Sequence, residues 1–162
     1  MKAIVGVYNS HESAVDAVRE LTKAGYPEKN LSVIGKADLI NDHIHVKAND
    51  TAEKAELSVG VLAGTTLGLL TGVGLFAVPG LGFVFGAGAL VGAFAGLDIG
   101  LIAGGITAIL THIGIDEVNA RKYEKHLNEG KFIVFAQGDE KQIDHARETL
   151  HTQNLHLELD SH

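Results

Sequence analysis

Polar and apolar positions along the chain fall into three regimes. The first, "KAIVGVYNSHESAVDAVRELTKAGYPEKNLSVIG" (2–35), sets a short apolar run, a segment with apolar residues at helical spacing, and a second apolar run in succession. That order predicts strand, helix, strand. Asn9 with Glu12 resembles a capping box, Ala14, Val15, Val18 and Leu21 form the apolar face, and Gly25 ends the helix before Pro27. The third regime, "KFIVFAQGDEKQIDHARETLHTQNLHLELD" (131–160), repeats the pattern, with Asp139 as cap and Ile143, Ala146 and Leu150 as the buried stripe. In "LHLEL", Leu155, Leu157 and Leu159 are expected to face inward and His156 and Glu158 outward. Two such units predict an α+β fold, a ferredoxin-like split βαβ sandwich formed by the two flanks.

Between them lies a stretch of a different kind. From Glu56 to Asp116 the only formal charge within the segment is Asp98, and every lysine and arginine lies outside it. Such a run exceeds the roughly 20 apolar residues that cross a bilayer. Glycine recurs every fourth residue in two series, Gly60, Gly64, Gly68 and Gly72, then Gly88, Gly92, Gly96, Gly100 and Gly104, separated by "AVPGLG" (77–82). Positions four apart drift little around a helix, so each series predicts a smooth stripe on which two helices pack closely. The expected organisation is a first βαβ half over 1–50, an inserted apolar glycine-zipper helical hairpin over 51–115, and a linking helix with the second half over 116–162.

The central strands add a demand. "AIVGV" (3–7) and "FIVFA" (132–136) are apolar at every position, which predicts strands buried on both faces. The helices of the two βαβ units cover one face only. The other needs a lid, either the amphipathic segment 116–130 or a neighbouring subunit.

Charge narrows the partners. The formal net charge of -7, without clustered lysine or arginine, argues against nucleic acid. Lys47 and Lys54 before the apolar segment, and Arg121, Lys122 and Lys125 after it, place both termini in the cytoplasm if the hairpin enters the cytoplasmic membrane. With no cysteine the chain forms neither disulfides nor thiolate metal sites. His43 and His45 would share one strand face, but no third ligand follows by spacing, so no metal is assigned. His145, His151, His156 and His162 read as surface residues. No phosphate loop, dinucleotide fingerprint or nucleophile elbow is present, so no catalytic residue and no cofactor are assigned. Asp98 points away from the glycine stripe; it reads either as a proton or cation site in an oligomeric pore, or as an interfacial or protonated carboxyl.

The segments "VGVYNSHESAVDAVRELTKAGYPEKNLSVIGK", "AVPGLGFVFGAGALVGAFAG" and "GIDEVNARKYEKHLNEGKFIVFA" resemble the bacterial general stress protein family of the heat-induced YflT type. The resemblance implies a stress-associated, membrane-linked protein and carries no catalytic residues over. Three functional expectations follow. The first is a non-enzymatic structural protein that inserts in or coats the cytoplasmic membrane, contacts lipid and forms homo-oligomers. The second is a soluble cytoplasmic shell or filament with buried hairpins. The third is a small pore or transport modulator using Asp98.

Overall fold

A computed structural model describes residues 2–36, 73–78, 81–88 and 105–162. Strand β1 (Lys2–Tyr8) leads into helix α1 (His11–Lys23), and a short 3-10 turn at Glu28–Asn30 opens strand β2 (Leu31–Lys36). Strands β3 (Val73–Val78) and β4 (Gly82–Gly88) follow, then helices α2 (Gly105–His112) and α3 (Glu117–Asn128). The chain ends through strand β5 (Phe132–Gly138), helix α4 (Glu140–Gln153) and strand β6 (Glu158–Ser161).

One six-stranded sheet runs in the order β3-β4-β2-β5-β1-β6, and every neighbouring pair is antiparallel. Strand β5 lies between β1 and β2, and β1 lies between β5 and β6, so each βαβ unit is split by a strand of the other. The two halves of the chain are thereby interlocked in a single α+β body.

Strand periodicity sorts the side chains of the central strands onto two faces. Ile4 and Tyr8 of β1 join Phe132, Val134 and Ala136 of β5 in a core roofed by Ala14, Val18 and Leu21 of α1 and Ile143, Ala146 and Leu150 of α4. The intervening residues Val5, Val7, Ile133 and Phe135 form a second core with Ile106, Ile109 and Leu110 of α2 and Ala120, Tyr123 and Leu127 of α3. The expected lid is therefore the chain's own 116–130 segment, joined by α2.

Helix ends follow local chemistry. Helix α4 starts at the expected cap, Asp139, which forms a capping box: Asp139 accepts from the Gln142 amide and the Gln142 side chain accepts from the Asp139 amide. Helix α1 is capped by Ser10, which accepts from the Ser13 amide, one residue beyond the expected Asn9. It closes with Gly25 at φ +85 and the Tyr26 amide donating to Leu21 O.

The expected helical hairpin over 51–115 is corrected where the structure describes it. Residues 73–78 and 82–88 are strands, joined by the turn foreseen at "AVPGLG", and β4 pairs with β2 through Ser32↔Gly88 to Lys36↔Val84. A four-residue glycine period is also a multiple of two, so it fits a strand as well as a helix. Gly72, Gly74, Gly86 and Gly88 include spacings of two among β-branched and aromatic residues, the composition a pleated strand favours. Helix α2, at the end of the expected hairpin, is helical, but it buries Ile106, Ile109 and Leu110 against the sheet. A second correction concerns "LHLEL": β6 begins only at Glu158, Leu155 and Leu157 are exposed, and Leu159 alone packs on the first core.

Candidate functional site

The densest group of titratable side chains among the described residues lies where α3 crosses β6. Asp116 caps α3 by accepting from the Asn119 amide, which fixes the start of the helix and so the direction of each later side chain. Lys122, Tyr123 and His126 then project towards the sheet edge, since positions three and four apart share a helix face. On β6 the alternating residues Glu158 and Asp160, with His162 just beyond, meet them.

Lys122 Nζ stands 2.5 Å from a carboxylate oxygen of Glu158 and 2.5 Å from one of Asp160. The Tyr123 hydroxyl donates to Asp160 at 3.0 Å and shares a 2.6 Å hydrogen bond with His162 Nε2. His126 Nε2 is 3.0 Å from Glu158, and His162 Nδ1 is 3.7 Å from Asp116. The tyrosine ring meets Phe135 edge-on, so one side chain links this polar cluster to the second core.

Electrostatics make the cluster a latch. Burial opposes the charge on Lys122, but hydrogen bonds to Asp160 and Glu158 outweigh it and raise the ammonium above its ordinary pKa. Burial likewise opposes the Asp160 carboxylate, yet hydrogen bonds from Lys122 and Tyr123 hold it below the usual aspartate value. Burial, followed by the hydrogen bond to Asp160, pushes the Tyr123 phenol far up. A lysine held cationic between two carboxylates is no base at neutral pH, and such a phenol remains a donor. The chemistry of the arrangement is to fasten α3 across the sheet edge.

Other polar groups lie apart from this cluster. Burial lowers the pKa of His156, and His151, whose ring centroid is 5.6 Å away, adds to the effect. The buried Tyr8 hydroxyl has no hydrogen-bond partner among the described residues. No group of three or more histidine or carboxylate side chains able to hold a metal ion occurs among the described residues.

Among the residues singled out from the sequence, Gly88 alone of the glycine series falls in the described structure. It ends β4 at φ +92, and a Cβ there would lie 2.1 Å from the Leu31 carbonyl oxygen. Its role is close approach of two strands, which replaces the expected helix packing. Gly60, Gly64, Gly68, Gly72, Gly92, Gly96, Gly100 and Gly104, together with Asp98, His43 and His45, lie outside the described residues. His145 and His151 are exposed as expected, whereas His162 is drawn into the latch. The latch itself went unrecognised. Its signal was the alternation of Glu158, Asp160 and His162 on one strand face opposite Lys122, Tyr123 and His126 on one helix face.

No described helix is long and apolar enough to cross a membrane. Comparison with curated proteins and with solved structures gives no match. Residues 3–76 match the family model of the heat induced stress protein YflT domain, the family that the sequence resembles.

Proposed function

We propose that the protein is a non-enzymatic structural protein of the stress response that self-associates, with a ferredoxin-like sandwich as its assembly unit. The stress association rests on the YflT match. The observation that carries the structural reading is the double cover of the central strands. Helices α1 and α4 roof one face and α2 and α3 the other, so apolar residues of the middle segment such as Val84, Ile106, Ile109 and Leu110 are buried inside the molecule.

Chain lengths favour peripheral membrane contact over spanning. The uncharged stretch 57–72 spans 16 residues and 89–104 another 16, each short of the roughly 20 consecutive apolar residues that one helical crossing needs. The protein on this reading is cytoplasmic, associates with copies of itself, and touches lipid at the inner face of the cytoplasmic membrane without inserting a hairpin. The pore reading through Asp98 gains no support from the described residues.

The test is fractionation of untagged protein: membrane pelleting, an alkaline carbonate wash, then sizing without detergent. Release by carbonate as a particle larger than one chain is the expected result. Retention in the washed membrane would revive the spanning hairpin, and a released monomer at every concentration would end the self-association reading.

A further inference from the structure

Helix α4 ends in a turn that brings two histidines together. His151 stands in its last turn, Asn154 turns the chain in the left-handed region at φ 50, and His156 follows two residues later. The two ring centres are 5.6 Å apart, with the planes inclined at 51°. Both residues sit on anchored backbone. The capping box at Asp139 fixes the start of α4, and just beyond His156 the Leu157 amide donates to the Val7 carbonyl of β1 at 2.7 Å. His151 is exposed, whereas His156 is partly buried with its Nδ1 enclosed, which leaves Nε2 as the nitrogen on the open side of the ring. Burial, with a smaller contribution from His151, lowers the pKa of His156, so at neutral pH its ring is uncharged and offers a lone pair.

We propose that His151 and His156 form a two-histidine site for a divalent transition cation such as Zn²⁺. The spacing of the rings carries it. A zinc ion lies about 2.0–2.1 Å from an imidazole nitrogen, hence about 3.2 Å from the ring centre, and two rings on one tetrahedral ion have centres about 5 Å apart. The observed 5.6 Å comes within that range by a small rotation of the exposed His151 ring. Imidazole ligands suit ions of the zinc, copper and nickel group, whereas magnesium and calcium take oxygen. With two protein ligands, water fills the remaining positions, so the ion is held reversibly and not enclosed as in a four-ligand structural site. A bound ion ties the last turn of α4 to the segment that enters β6. This site is independent of the self-association reading and stands or falls without it.

Histidine side-chain NMR of the full-length protein, titrated with Zn²⁺ alone at neutral pH, reads each ring separately. The His151 and His156 signals are expected to shift together and to saturate at one Zn²⁺ concentration, while those of His112 and His145, which are exposed elsewhere, stay in place. Acidification through the ordinary histidine range should reverse the shift, because protons compete for the same nitrogens. In His151→Gln, an exposed change that leaves the melting temperature near that of the parent, the His156 shift at that Zn²⁺ concentration is expected to be lost. Three results would overturn the site: a His156 shift equal in parent and variant, a like shift of every histidine, which marks an adventitious ion only, or no shift at either member of the pair.

Discussion

Lys122 sits between two carboxylates and over the ring of a buried tyrosine, so its removal leaves Glu158 and Asp160 facing each other without that counter-charge. Lys122→Met is expected to lower stability by about 1–2 kcal/mol, below the cost of breaking a fully buried pair because the site is partly exposed. Chemical denaturation at neutral pH measures it. The latch also predicts a pH profile. Asp160 has a depressed folded pKa, so its contribution is present above the unfolded aspartate value and is lost as pH falls through the lower folded value. Lys122 has a raised folded pKa, so its contribution is complete below the unfolded lysine value and is lost as pH rises through the higher folded one. Stability measured against pH should fall on both sides, and Asp160→Asn should flatten the acid limb. An unchanged acid limb in that variant would remove Asp160 from the account.

At the level of elements, glycine substitutions separate strand from helix. In a helix interior, replacing glycine by alanine stabilises by about 1 kcal/mol. In the hairpin the sign reverses. Gly82→Ala forces a side chain into φ +80 with open space around it, a cost of about 1–2 kcal/mol, while Gly88→Ala adds a collision with the Leu31 carbonyl to φ +92 and should cost more. Thermal melts of the two variants check sign and order. Helix α2 gives a further test: Leu110→Ala, at a fully buried position of the second core, is expected to cost about 2–5 kcal/mol. These elements also mark what the sequence made legible. Helices α1 and α4 were readable because their caps and apolar stripes are local signals, and the lid was readable because "AIVGV" and "FIVFA" are apolar on both faces. The hairpin was misread because glycines four apart satisfy both periods, and only partners distant in the chain decide between them. The latch was hidden for the same reason, since Lys122 and Asp160 are drawn together by topology alone.

At the scale of the whole molecule, the match over 3–76 ends within β3 and contains neither β5 nor β6, the two strands that flank β1 in the sheet. A fragment of residues 1–76 is therefore expected to lack cooperative unfolding, and a sigmoidal thermal transition in that fragment would contradict the interlocked sheet. The central claim is that the apolar, glycine-rich middle of the chain supplies strands to this sheet. Solution NMR of the full-length protein tests it most directly, through cross-strand contacts between β2 and β4. Backbone proton contacts linking Val33 with Ala87 and Gly35 with Phe85 are the expected result. Helical contacts between residues three apart across 82–88, with none reaching 31–36, would contradict the account.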